Sequence, residues 1–263
     1  MKRRFLKMHG LGNDFVVFDA REAALEMDAA TARALADRRT GIGCDQLIVI
    51  GPSEAADVRM RIWNADGGEA EACGNAARCV ALLLREDSRI ETKGGIIATS
   101  ADTGRASVDM GLPRFGWDEI PLAYPMDTAR MPVAWGDLSE PFAVNVGNPH
   151  IVFFVEDADA VALDRLGPLI ETDPLFPRKV NVGVASFEGG ALRLRVWERG
   201  AGLTLACGTG ACAAAVAAVS RRLAASPVEV RLPGGNLTID WTPGGRIRMS
   251  GPATFVYEGE VAL

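Results

Sequence analysis

The chain repeats itself, and that constrains its fold more than any composition figure does. Arg61-Ile62-Trp63-Asn64-Ala65-Asp66-Gly67-Gly68 aligns with Arg195-Val196-Trp197-Glu198-Arg199-Gly200-Ala201-Gly202 at an offset of 134. The same offset carries Ala72-Cys73-Gly74-Asn75 onto Ala206-Cys207-Gly208-Thr209. Upstream, Gly12-Asn13-Asp14-Phe15-Val16-Val17-Phe18 matches Gly147-Asn148-Pro149-His150-Ile151-Val152-Phe153 at 135. Downstream, Lys93-Gly94-Gly95 matches Pro233-Gly234-Gly235 at 140, and Met110-Gly111-Leu112-Pro113 is echoed by Ser250-Gly251-Pro252. Ordered blocks at nearly constant offset imply two homologous halves, 1–113 and 137–252. Pro113, Pro121, Pro125 and Pro132 mark 114–136 as an irregular linker. The tail, 253–263, lies outside the repeat. It is assigned to the C-terminal lobe, 137–263, with the alternative that it packs on the first.

Each half carries the same coarse order of elements. A strand (Asp14–Asp19; His150–Val155) leads to a helix with apolar spacing (Ala29–Arg39; Ala158–Ile170). Two strands follow: Gln46–Ile50 and Val58–Asn64, then Val180–Ser186 and Leu192–Glu198. A glycine-bearing turn opens a small-residue helix (Asn75–Leu84; Gly210–Leu223), with Asn75 and Thr209 as the expected N-caps. Glycine-bounded strands close each half (Ile96–Ser100 and Ala106–Met110; Leu237–Trp241 and Ile247–Ser250). Runs of strands with two helices per half predict an α+β fold rather than an alternating parallel sheet.

Composition excludes several function classes. The formal net charge is −6, without the basic patch of a nucleic-acid or acidic-membrane binder. No apolar run reaches the roughly 18–20 residues of a membrane span. The basic start has no apolar stretch behind it, so no signal peptide is read, and a cytoplasmic location is expected. Five cysteines, an odd number, argue against a disulfide framework. With two histidines, His9 and His150, and no CxxC pair, no metal site is expected. None of the four lysines, Lys2, Lys7, Lys93 and Lys179, lies in a readable pyridoxal phosphate context.

Cys73 and Cys207 recur at one position of the repeat, beside a helix start. There the dipole and free N–H groups stabilise a thiolate, and its pKa can fall from about 8.5 toward neutrality. The same N–H groups can hold a carboxylate or a developing enolate. Cys79 and Cys212 fall on apolar helix faces and, with Cys44, read as buried packing thiols. If the halves pack about a pseudo-twofold axis, Cys73 and Cys207 face one cleft from opposite sides. A base on one face of a stereocentre and an acid on the other invert it without a cofactor. A Cys–His hydrolase using His150 would leave the second cysteine unexplained.

MHGLGNDF at 8–15, GCDQ at 43–46, NADGGEAEACGNAARC at 64–79, NVGNPHIV at 145–152, VNVG at 180–183 and WERGAGLTLACGTGA at 197–211 resemble the diaminopimelate epimerase family. The resemblance implies two lobes, each a mixed sheet wrapped around a central helix, with the active site in the cleft between them. It implies interconversion of LL- and meso-diaminopimelate without a cofactor, in lysine and peptidoglycan precursor synthesis. Carried over, Cys73 and Cys207 are the acid/base thiols, and His150 and Glu198 modulate their pKa values. Gly74, Asn75, Gly208 and Thr209 bind the carboxylate at the reacting centre. Asn13, Gln46, Asn64, Asn148, Asn181, Glu198 and Arg199 line the rest of the pocket, and Tyr257 matches a tyrosine at the dimer contact of a homodimer.

The residue types suit a substrate with an amino acid group at each end. Arg199 can grip the distal carboxylate bidentately, and Glu198 and amide oxygens can receive an ammonium. His9, near the glycine turn, reads as structural. Leu203 and Gly68 depart from the family pattern, where glutamate and serine are usual, and Cys44 has no functional reading. The alternatives are another cofactor-independent racemase of the proline racemase type, which the clamp argues against, and a non-catalytic ligand-binding module, against which both retained cysteines count.

Overall fold

The computed structural model describes residues 2–71, 73–102 and 104–263, so Ala72 of the first cysteine motif lies outside the described residues. The chain divides into two compact units, one formed by 1–109 with 250–263 and the other by 110–249. No helix among the described residues is long and apolar enough to cross a membrane.

The first unit opens with β1 (Lys2–Gly10) and β2 (Asn13–Asp19), antiparallel, with Gly10 opposite Asn13. Leu11 and Gly12 turn between them with φ of 58° and 88°, the left-handed pair that a two-residue hairpin requires. Helix α1 (Ala29–Ala36) is capped by Asp28, whose carboxylate accepts from Thr31 N at 2.7 Å. Next come β3 (Gln46–Gly51), parallel to β2, then β4 (Val58–Asn64), antiparallel to β3, and the short β5 (Glu69–Ala70). Helix α2 (Gly74–Leu84) follows, then β6 (Ser88–Thr92), β7 (Gly95–Asp102) and β8 (Arg105–Asp109). Residues Asn75 to Ala81 of α2 are all buried, and the helix touches β1, β6, β7 and β8, so the strands wrap around it.

The second unit repeats this plan. After the two-residue β9 (Ala134–Trp135) and β10 (Leu138–Ser139) come β11 (Phe142–Asn145), β12 (Pro149–Phe154), α3 (Leu163–Glu171), β13 (Asn181–Glu188), β14 (Ala191–Glu198) and β15 (Gly202–Leu203). Helix α4 (Gly208–Ser220), β16 (Val228–Leu232) and β17 (Gly235–Asp240) follow, and β18 (Arg248–Pro252) runs from the end of this unit into the 250–263 segment of the first. The registers coincide. Parallel β2–β3 pairs Phe15 with Gln46, and parallel β12–β13 pairs His150 with Asn181. Antiparallel Leu47–Trp63 becomes Val182–Trp197, and parallel Val58–Ile90 becomes Leu192–Val230. Helix α4 is buried from Gly210 to Ala218 and is apolar on every side, as a helix enclosed by a sheet must be. This is the expected α+β fold, duplicated.

Several boundaries differ from the sequence reading. Both small-residue helices start earlier than expected, at Gly74 and Gly208, and the N-caps are Cys73 and Cys207 rather than Asn75 and Thr209. Helix α3 begins at Leu163, not Ala158. Arg195 Nη1 reaches the carbonyls of Ala158 (3.2 Å) and Val161 (2.8 Å), so that stretch is held as a turn. Helix α1 stops at Ala36, where the Asp37 carboxylate accepts from the backbone N–H groups of Arg39 and Thr40. Ile120, Leu122 and Met131, in the proline-marked stretch, are buried in the core of the second unit. The tail forms β19 (Thr254–Ala262), antiparallel to β1, with Lys2 opposite Ala262.

Candidate active site

In the first unit, the chain enters α2 through Cys73 in an extended conformation (φ −148°, ψ 115°). Its Sγ accepts from Ala76 N at 3.5 Å, and its carbonyl accepts from Ala77 N at 2.9 Å. The thiol therefore occupies the place usually taken by the oxygen of a capping Ser or Asp. Asn13 Oδ1 lies 3.9 Å from Sγ and accepts from Asn75 Nδ2 at 3.1 Å. On the neighbouring strands Gln46 Nε2 donates to Asn64 Oδ1 at 2.9 Å. The two groups are linked through Asp45, which accepts from Asn13 Nδ2 at 3.0 Å.

The sequence reading missed the charged support beneath Asn13. Asp14 accepts from Lys7 Nζ (2.5 Å) and from Arg38 Nη2 (2.6 Å), and Arg38 also holds Asp45 at 2.7 Å. Burial acts to raise the Asp14 pKa, but the two cations outweigh it and hold the carboxyl well below the usual range. The signal was in view, since Asp14 and Asp45 each adjoin a predicted ligand, Asn13 and Gln46. Cys44 is a buried thiol pushed up to about 11 by desolvation, in keeping with an inert packing role.

In the second unit, Cys207 (φ −120°, ψ 104°) caps α4 in the same way. Its Sγ accepts from Gly210 N at 3.4 Å and lies 3.6 Å from Thr209 Oγ1. A helix start alone predicts a lowered thiol pKa; here the shift is upward. Burial and the negative charge of Glu198 outweigh the Thr209 hydroxyl and the Gly210 N–H, so Cys207 is held as a thiol. Glu198 Oε1 is fixed by Thr204 Oγ1 at 2.5 Å, a second contact that the sequence reading did not identify.

His150 is fully buried, with Nε2 2.9 Å from Asn148 Oδ1. Desolvation, reinforced by the charge of Arg199, lowers its pKa to about 3, so the ring is neutral. Asn181 is committed to the backbone. Its Nδ2 donates to Pro149 O (2.8 Å), and its Oδ1 accepts from Arg199 N (2.9 Å). Arg199 Nη1 donates to Arg178 O at 3.0 Å. Tyr257, on β19, is exposed and sets its ring edge against Phe5 at 6.1 Å. Among the described residues no group of three or more His, Cys, Asp or Glu stands close enough to hold a metal ion.

By fold the chain is a duplicated α+β protein. Over 100% of its length it superposes on a phenazine biosynthesis protein of the PhzF family from Bacillus anthracis, itself covered over 100%, with a TM-score of 0.73 and 16% identity. A hydroxyproline epimerase from Agrobacterium vitis superposes with a TM-score of 0.67 and 15% identity, covering 100% of this chain and 93% of that one. These likenesses bear on the fold alone. The sequence itself is more specific. The family model described as diaminopimelate epimerase matches residues 5–116 and 142–256. A diaminopimelate epimerase of Rhizorhabdus wittichii is 64% identical over 265 residues, covering 100% of this chain and 97% of its own. The chain belongs to the diaminopimelate epimerase family.

Proposed function

We propose that the chain interconverts LL- and meso-diaminopimelate by two-base proton transfer at the α-carbon, with Cys73 and Cys207 as the bases. Family membership supports the substrate. The observation that carries the mechanism is the recurrence of one thiol, as the N-cap of the central helix, in each copy of the duplication.

A thiolate takes the α-proton, and the C–H electron pair moves into the α-carboxylate as an enediolate. The second thiol then delivers its own proton to the other face, so one sulfur gains a proton from the substrate and the other loses one to it. The free N–H groups at the starts of α2 and α4, around Gly74, Asn75, Gly208 and Thr209, suit the charge that builds on the carboxylate. The duplication has diverged in a way that fits unequal starting states. Asn64, a neutral amide, stands where the second copy has Glu198, and the Glu198 charge favours the protonated form of Cys207. Cys207 then starts as the thiol, and the two-base scheme asks the opposite thiol, Cys73, to start as the base. His150 acts as a neutral dipole. At the distal end Arg199 receives the carboxylate, while Glu198 with Asn13, Gln46, Asn64, Asn148 and Asn181 surrounds the ammonium group and the carbon chain. No step calls for a cofactor.

The reaction belongs to lysine and peptidoglycan precursor synthesis and is assigned to the cytoplasm. A homodimer contact through β19 is supported by the exposed Phe255, Val256 and Tyr257. The test is purified protein with LL-diaminopimelate, no added cofactor and chiral separation of the products, with proline as the rival substrate. Formation of the meso isomer with no proline turnover is expected. Turnover of proline alone would overturn the substrate assignment.

A further inference from the structure

Helix α3 ends in Glu171, a carboxylate only 5% exposed. Its Oε2 accepts from Trp197 Nε1 at 2.7 Å, and its Oε1 accepts from Gly200 N at 3.0 Å. One side chain thus ties the residues on either side of Glu198 and Arg199. Lys179 Nζ stands 3.3 Å from the same Oε1, next in the chain to Arg178, whose carbonyl accepts from the Arg199 guanidinium. Burial works to raise the Glu171 pKa, but the three donors hold it below the ordinary carboxylate range. A buried charge is costly unless it is paired and hydrogen-bonded, and this one meets both conditions at the Arg199 turn.

The duplication supplies an internal comparison. In the first copy the equivalent turn starts at Asn64 and has the same backbone bond, Gly67 N to Asn64 O at 2.9 Å, matching Ala201 N to Glu198 O at 3.0 Å. At the positions of Glu198 and Arg199 that turn carries the uncharged Asn64 and Ala65, and its Asp66 carboxylate accepts from Gly68 N at 2.8 Å. Among the described residues its side-chain tie to α1 is one bond, from Arg33 Nε to the carbonyl of Asp66 at 3.0 Å. The buried carboxylate is found in the copy whose turn bears an arginine.

We propose that Glu171 is a positioning residue for substrate recognition: by bridging the turn at 197–200 and the segment at 178–179, it sets where the Arg199 guanidinium stands. This rests on the reading of Arg199 as the distal-carboxylate clamp. Glu198 depends on Glu171 less, because Thr204 holds its carboxylate independently. The loss should therefore fall on binding rather than on proton transfer.

In Glu171→Gln the amide nitrogen turns a donor toward one of the two N–H groups, and the charge facing Lys179 is gone. KM for LL-diaminopimelate should rise about tenfold, as expected for loss of a charge-assisted tie, with kcat within about threefold. Ile170→Val, a core truncation one residue away, should leave KM within twofold. In an Arg199→Lys background, Glu171→Gln should add less than twofold, since the group it aims is already impaired. Equal KM in wild type and Glu171→Gln, or a full tenfold effect in both backgrounds, overturns the proposal. If Glu171→Gln does not fold, Trp197→Phe removes one of the ties and should raise KM at least threefold; an unchanged KM there also overturns it. Absence of epimerisation by the wild-type protein would instead refute the functional reading, so the two failures are distinguishable.

Discussion

Gly167→Ala adds one methyl group inside α3, and the structure decides its sign. In an exposed helix interior this exchange stabilises by up to about 1 kcal/mol through backbone entropy. Here a Cβ would stand 2.4 Å from Trp197 Cγ, 2.5 Å from Cδ2 and 2.8 Å from Cβ. Ordinary carbon contacts lie near 3.5–4.0 Å, so helix or ring must yield by more than about 1 Å. The ring cannot swing freely, because its Nε1–H is held by Glu171. Overpacking costs roughly 1–3 kcal/mol. Taking the upper end for a stiff, pinned indole and subtracting the propensity gain leaves a net loss of about 2 kcal/mol. For a unit of this size that corresponds to roughly 4–8 °C in Tm. Because Trp197 precedes Glu198 and Arg199, KM for diaminopimelate should rise as well. Thermal unfolding followed by circular dichroism, alongside steady-state kinetics, measures both. A Tm equal to or above the wild-type value would refute the close approach of α3 to Trp197 and the reasoning built on it.

Cys73→Ala and Cys207→Ala should each lower kcat by at least 100-fold, because each thiol is the only proposed acid or base on its face of the α-carbon; either variant keeping a tenth of wild-type kcat would remove that residue from the mechanism. Arg199→Lys retains the charge but loses the planar fork, so KM should rise about 10- to 150-fold, the equivalent of roughly 1.5–3 kcal/mol, and kinetics within twofold of wild type would remove Arg199 from the site. His150 has a pKa of about 3 when folded against about 6.5 unfolded, so between these values the unfolded chain binds one more proton. Its contribution is fully present above about pH 6.5 and is lost as pH falls toward 3, at up to about 1.4 kcal/mol per pH unit. His150→Phe, which copies Phe15 at the same place in the first half, should flatten the stability profile between pH 6 and 4 when followed by urea unfolding, and an unchanged slope would show that the ring is not buried in neutral form.

The repeat, the two cysteine motifs and five strands in each half were legible in the chain itself. The reason is local: an Arg-x-Trp strand followed by a glycine turn and a small-residue helix is written in consecutive residues, and the second copy verifies the first. That order also set the class, α+β, and the positions equivalent to one another, such as Asn13 with Asn148 and Asn64 with Glu198. What escaped depends on residues far apart in sequence. β1 and β19 pair Lys2 with Ala262; the counterpart of β1 in the second unit is only the four-residue β11, antiparallel to β12 as β1 is to β2, and β19 lies outside the repeat. The N-caps were misplaced by two residues, because residue preferences favour Asn75 and Thr209 while the chain turns into the helix at the thiols. The direction of the Cys207 shift could not be read from its motif either. A helix start lowers a thiol pKa, whereas burial and a carboxylate raise it, and only the fold says how deeply Cys207 is buried and that Glu198 stands near. Glu171 is the clearest case. In sequence it is one acidic residue at the end of an amphipathic helix, and it becomes a tie only when α3 packs on Trp197 and brings the turn at 197–200 within hydrogen-bond reach. Sequence determines which groups are available, through short-range pattern and repetition; tertiary packing decides their charge states and partners, because desolvation and directional hydrogen bonds depend on distances that the chain sets only when folded.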